Sequence, residues 1–173
     1  MKLTLSMLAG GAAALAFASA ANAADLLKPA DQIYSSPLFN FEGLYAGVQG
    51  GGGFHSSGTY GTIGVVVGSN FAVTNGIILG GEFQGDTYFK SGATAFDALA
   101  LGRAGGFITD NILLTGDMGL GVVDTTPVYA LGGAAEMGLG NNVSVRGDLQ
   151  FLGQWGASPT ATRATAGLLW HMN

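Results

Sequence analysis

The chain has 173 residues, 48 % hydrophobic and only 10 % charged, with a formal net charge of −5. A soluble domain carries about 25 % charged residues, so this composition is too poor in charge for an ordinary water-facing surface. The acidic balance offers no basic patch to neutralise phosphates, which argues against nucleic acid as a partner. Cysteine is absent, so no disulfide framework stabilises the fold.

Met1 and Lys2 are followed by an apolar run from Met7 to Phe17, then by Ala21-Asn22-Ala23. A basic start, a short apolar core and a small-x-small site are the layout of a cleaved secretory signal peptide, assigned to residues 1–23. The stretch is too short and too rich in Ala and Gly for a spanning helix, which needs roughly 20 apolar residues. Cleavage removes Lys2 and leaves 5 basic and 11 acidic residues, net −6. No later run is long enough to span as a helix, and the 31 glycines disfavour helix altogether. A chain too apolar for water and without spanning helices has one membrane solution, the closed β-barrel, whose backbone groups all pair between strands.

Residues 24–40 hold two prolines and no clear period, and read as an N-terminal periplasmic tail or linker. From Phe41 to Asn173 the sequence divides into eight strand-like segments, roughly 42–54, 61–71, 76–89, 95–107, 112–123, 128–139, 143–155 and 162–172. Thr74-Asn75-Gly76, Thr109-Asp110-Asn111 and Asn141-Asn142 are tight-turn residues that tolerate positive φ. They follow the second, fourth and sixth segments. The connections near 55–60, 90–94, 124–127 and 156–161 lie between them, which predicts an all-β, eight-stranded antiparallel up-and-down transmembrane barrel.

Alternation supports this reading. In the seventh segment Ser144, Arg146, Asp148 and Gln150 alternate with Val143, Val145, Gly147, Leu149 and Phe151. In the third, Glu82, Gln84 and Asp86 alternate with Gly81, Phe83 and Gly85; in the last, Arg163, Thr165 and His171 oppose Ala164, Ala166, Leu168, Trp170 and Met172. A polar lumen and a lipid-facing exterior give this pattern. The second segment departs from it at Val65-Val66-Val67. A soluble lipocalin-like barrel or sandwich would need a polar exterior, and beyond residue 23 the chain has two Lys and three Glu.

Hairpin neighbours share a nearly constant sum of residue numbers across a turn. Glu136 then falls opposite Arg146, Arg103 faces Asp117, and Arg103 lies near the level of Glu82. Arg163 falls near Gln154 and has no acidic neighbour. The expectation is a lumen plugged by Glu82, Arg103, Asp117, Glu136 and Arg146, with Asp148 and Arg163 joining by alternation alone. Asp86 and Asp97 fall opposite each other beside the 90–94 loop, with Asp124 on the same side. They read as a solvated rim rather than a cation-attracting mouth, because their spacing matches no metal site.

No catalytic constellation stands out, and neither a metal nor a cofactor is expected. His55-Ser56-Ser57 lacks a nearby acid to orient the imidazole. His171 reads as a lumen or interface residue. Gly51-Gly52-Gly53 is not a phosphate loop, since no helix follows; it reads as a strand bend at the rim.

Ala24-Asp25-Leu26, Phe41-Glu-Gly-Leu-Tyr-Ala-Gly-Val-Gln-Gly-Gly51, Gly102-Arg103-Ala-Gly105, Ala130-Leu-Gly-Gly-Ala-Ala135, Asp110-Asn111 and Asn142-Val-Ser-Val-Arg146 follow one another in an order similar to that of the opacity-type, or outer-membrane immunogenic protein, β-barrels of alphaproteobacteria. The resemblance runs over roughly residues 24–172. It implies an OmpA-like barrel in the outer membrane of a Gram-negative cell, in contact with lipid and lipopolysaccharide and inserted by the barrel-assembly machinery. Members usually end on an aromatic residue, whereas Met172 and Asn173 follow Trp170-His171 here. Their outward loops carry adhesive or antigenic properties, and some members bind haem. The loops of this chain are short for the group, and no site residue carries over, because the matching motifs are structural. The function expected is a non-enzymatic surface barrel that supports the envelope and presents short loops. The alternatives are a narrow passive channel for small solutes and a lipid-modifying enzyme at the outer rim.

Overall fold

The computed structural model describes residues 39–74, 76–90 and 92–172. The signal peptide assigned to 1–23, and the tail as far as residue 38, lie outside the described residues. Eight antiparallel strands form one closed barrel: β1 (Gly43–His55), β2 (Gly58–Thr74), β3 (Ile77–Lys90), β4 (Ala93–Thr109), β5 (Ile112–Val123), β6 (Thr126–Gly140), β7 (Val143–Gly153) and β8 (Ala161–Met172). Each strand pairs with its chain neighbours, and β1 closes the sheet on β8. No helix occurs among the described residues.

The register fixes the stagger of the barrel. Stepping from Tyr45 through its successive partners Gly68, Glu82, Leu101, Gly119, Ala130, Leu152 and Ala161 returns to β1 at His55, ten residues further along. Such a stagger tilts the strands, and an eight-stranded barrel encloses a lumen just wide enough for side chains to fill.

Turn chemistry sets the two ends. At the end where β1 begins and β8 finishes, two residues separate β2 from β3, and two-residue turns span 110–111 and 141–142. Asn141 and Asn142 have φ of 51° and 61°, the paired left-handed conformation of a hairpin turn matched to strand twist. Next to each of these turns the register shifts, between Ala72 and Thr74, Phe107 and Thr109, and Gly138 and Gly140. At the opposite end, called the loop end below, β1 and β2, β3 and β4, and β5 and β6 are likewise two residues apart, and only β7 and β8 are joined by a longer stretch, 154–160. β2, β4 and β6 therefore begin nearer the loop end than the segments 61–71, 95–107 and 128–139 predict. Gly58, Thr59 and Tyr60 of β2, Ala93 and Thr94 of β4, and Thr126 and Pro127 of β6 continue the pairing there.

The strands are inside-out relative to a soluble barrel. Along β3 the buried residues include Glu82, Gln84, Asp86 and Tyr88. The exterior carries Val48, Ile63, Val65, Val67, Leu79, Met118, Leu120, Leu131, Leu149 and Phe151, all exposed. The Val65-Val66-Val67 run does not break the alternation. Val65 and Val67 face out, while Val66 enters the lumen and packs on Tyr45 and Leu169. The Gly51–Gly53 run pairs without a register shift on both sides. A Cβ on Gly53 would meet the Tyr60 ring within 2.6 Å, so its small size makes room for that aromatic.

Candidate functional site

The lumen holds every charged side chain that alternation turned inward. Three arginines, Arg103, Arg146 and Arg163, are buried there with six carboxylates, Glu82, Asp86, Asp97, Asp117, Glu136 and Asp148. These groups, with their hydroxyl and amide partners, form layers along the barrel axis.

Glu82 of β3 centres the middle layer. Its Oε2 accepts from Arg103 at 3.1 Å and from Arg146 at 2.5 Å, while Arg146 also reaches Oε1 at 3.0 Å. The Tyr45 hydroxyl donates to the same Oε2 at 2.5 Å. Arg103 donates to Asp117 at 3.0 Å and to Thr115 at 3.0 Å, and Arg146 to Asp148 at 2.9 Å. One carboxylate thus bridges two guanidiniums, one carried by the neighbouring β4 and the other by β7, directly across the ring from β3. Bidentate and charge-assisted bonds of this kind are the strong ones.

Arg163 of β8 centres the layer nearer the loop end. It donates to Asp86 and Asp97, both at 2.9 Å, to the Tyr88 hydroxyl at 3.0 Å, to Gln84 at 2.6 Å and to Gln150 at 2.5 Å. Tyr88 donates to Asp97, and Gln49 donates to both oxygens of Asp86 at 3.0 Å. This corrects the reading of Asp86 and Asp97 as a solvated rim: both are buried. It also supplies the acidic partners that hairpin arithmetic did not find for Arg163. Gln84 donates to Glu82 at 2.7 Å, which joins the two layers.

Glu136 and Arg146 are direct backbone partners, as the turn at 141–142 predicts, yet their side chains part. Arg146 crosses the lumen to Glu82, whereas Glu136 Oε1 meets Ser144 at 2.6 Å and His171 at 2.8 Å. His171 is therefore a lumen residue. In so narrow a barrel a long guanidinium reaches the far wall as readily as its own neighbour.

Below His171 the lumen is stopped by aromatic rings from outside the sheet. Phe39 and Phe41 precede β1, are buried, and pack with Ile78, Leu113 and Phe107. The Phe39 ring stacks edge-on to His171 at 4.9 Å, and Gly138 leaves it room. Asn70 ties the stopper down by donating to the Phe41 carbonyl at 3.0 Å. Phe39 and Asn40 were grouped with the tail by composition, but Phe39 sits inside the barrel mouth.

The loop end is open. A cavity of about 460 Å³ lies above the Arg163 layer. Tyr60, Tyr88, His55 and Lys90 line one wall, and Ala95, Val123, Val128 and Leu152 the other. Leu99, Leu101, Val128, Ala130 and Leu152 form one apolar cluster. At the rim His55 Nδ1 lies 2.9 Å from Ser57 Oγ, which also accepts Lys90 Nζ at 2.7 Å. No carboxylate among the described residues hydrogen-bonds His55. Asp124, at the same mouth, accepts from the Phe96 amide at 3.0 Å.

Sequence reasoning missed Tyr45, Tyr88, Gln49 and Gln150 as members of the charge network, although Gln150 shares its face with Arg146 and Asp148. It also missed the Phe39–Phe41 stopper and the cavity, neither of which has a signature in hairpin spacing.

No family model and no curated protein matches the chain. Solved structures do. An 8-stranded-barrel likeness links it to Ail, the attachment invasion locus protein of Yersinia pestis, at a TM-score of 0.54 and 11 % identity, covering 74 % of this chain and 96 % of that one. A de novo designed transmembrane β-barrel aligns at a TM-score of 0.51 and 14 % identity, over 76 % of this chain and 97 % of the design. At these identities the likeness shows the fold: a small closed barrel of the transmembrane type.

Proposed function

We propose that this protein is a structural barrel of the Gram-negative outer membrane, exported by its signal peptide and inserted by the barrel-assembly machinery. It contacts lipid and lipopolysaccharide along its apolar exterior and supports the envelope rather than catalysing a reaction. The resemblance to opacity-type barrels supports the same placement. The observation that carries the reading is the filled lumen. A solute would have to pass the Arg163 layer, the Glu82 layer and the Phe39–Phe41 stopper, each held by direct hydrogen bonds or ring contacts. The connections between β1 and β2, β3 and β4, and β5 and β6 are only two residues long, so the chain suits a membrane-stabilising role better than a long-looped adhesin.

Planar-bilayer recording tests the plugged lumen. The purified, refolded protein inserts without stable conductance steps; large, persistent steps would establish the channel reading instead. Comparing boiled and unboiled samples on a gel tests the barrel itself, since a folded transmembrane barrel migrates differently before heating. A lipid-modifying role gains support only if lipid hydrolysis is detected and is lost in His55→Ala.

A further inference from the structure

The loop-end cavity is unused by a structural role, and its chemistry is uneven in an informative way. One wall is aliphatic, built by Val123, Val128 and Leu152 with Ala95 beside them. The opposite wall is made of the Tyr60 and Tyr88 rings, packed edge-on at 4.9 Å. Both hydroxyls are engaged elsewhere, Tyr60 with the Thr162 carbonyl at 3.4 Å and Tyr88 with Asp97. The rings therefore offer the cavity their carbon surface. An apolar cup of about 460 Å³ falls within the range of small-molecule sites.

The polar groups are confined to the rim. Lys90 Nζ donates to the Ser57 carbonyl at 2.6 Å and to Ser57 Oγ at 2.7 Å. An ammonium has three donors, so one remains for a ligand. The hydrogen bonds to Ser57 hold the ammonium across the mouth instead of letting it sweep through solvent. His55 stands beside it in the same lining. The one carboxylate of the lining, Asp124, belongs to the turn opposite and spends an oxygen on the Phe96 amide.

From an apolar interior capped on one side by a positioned cation, we infer that the cup binds a single-chain aliphatic monocarboxylate, its tail among Val123, Val128, Leu152 and the tyrosine rings and its carboxylate on Lys90. The floor is closed. Tyr88 is at once a wall of the cup and a ligand of Arg163, so the guest stops at the ion-pair layer and does not enter the lumen. This goes beyond the structural reading and shares with it only Tyr88. Failure of the cup would leave the plugged barrel untouched, and a conducting barrel would leave the cup to be judged by binding alone.

Octanoate is the probe, because it is soluble and short enough for the cup. The full barrel, reconstituted in phosphatidylcholine nanodiscs, is titrated calorimetrically against octanoate, octyltrimethylammonium and octanol, with empty nanodiscs as blank. Saturable octanoate binding above the blank is expected, with octyltrimethylammonium at least tenfold weaker. Lys90→Met keeps the apolar stem but removes the charge, and lowers octanoate affinity about tenfold while leaving octanol unchanged. Ala95→Trp fills the cup from a half-buried position and abolishes saturable binding of both. Each variant is first shown to be folded by its heat-modifiable migration. Octanoate binding no greater than the blank overturns the proposal. So does equal binding of the cationic probe, or binding that survives Ala95→Trp.

Discussion

Asp117 and Met118 are neighbours on β5, and they teach the logic of the whole molecule. The charged residue is 5 % exposed and the apolar one 66 % exposed. In a water-soluble barrel the two would be exchanged. Inside, Asp117 accepts from Arg103, whose guanidinium is also held by Glu82, Tyr45 and Thr115. Outside, Met118 touches no such network, and its surface suits a solvent of hydrocarbon. The interior is therefore specified residue by residue, while the exterior is specified by polarity alone. Substitutions on the two faces should behave as differently as the faces do.

The largest effect is expected inside, at Glu82. Glu82→Ala leaves Arg103 and Arg146 buried side by side without their shared carboxylate, and takes the acceptor from Tyr45. Breaking one partner out of a buried charge pair costs about 3–5 kcal/mol. Urea unfolding of the refolded barrel measures it. A loss under about 1 kcal/mol, the size expected of an exposed pair, would mean that the network is solvated in practice. Outside, Met118→Arg follows at about 2–4 kcal/mol, because a cation near the middle of a lipid-facing strand must leave water. Folding yield in lipid vesicles reads this directly. A barrel that lived in water would tolerate the arginine, so an unchanged yield would break the inside-out comparison at its root.

The exterior was the more legible face. Alternation in the third, seventh and eighth segments assigned the faces of β3, β7 and β8, and Asn141-Asn142 announced their turn. In-sheet neighbours were legible too: Arg103 and Asp117 are register partners and bond each other. What hairpin spacing could not reach was contact across the lumen. Arg163 sits opposite Gln150 in the sheet, yet its acids come from β3 and β4. That pairing exists only once β1 closes on β8 and the ten-residue stagger decides which levels share a layer. Asp86 and Asp97 differ from expectation for a second reason: closeness to a turn suggests solvent, but the strands run on past them. Phe39 and Phe41 were hidden differently. They lie outside any strand, so no period marks them, and only the shape of the open mouth gives two rings a place to go.

The finest test of the two faces uses a pair of adjacent glycines. Gly80 points into the lumen and Gly81 away from it. A methyl on Gly80 would stand 2.6 Å from Asn70 Oδ1 and 2.7 Å from the Ser69 carbonyl, and the carbonyl belongs to the paired strand and cannot yield. Around Gly81 nothing lies within 4 Å. Gly80→Ala should therefore cost about 1–3 kcal/mol, the range for overpacking. Part of that loss should appear at the stopper, since Asn70 also holds the Phe41 carbonyl. Gly81→Ala should be neutral or stabilise by about 0.4–1 kcal/mol, because it narrows the unfolded ensemble without meeting anything in the folded one. The two unfolding curves, run side by side, isolate face from every other variable: same strand, same residue type, same substitution. A reversal of the two costs would mean that β3 has slipped by one residue from the register that places Glu82 in the lumen.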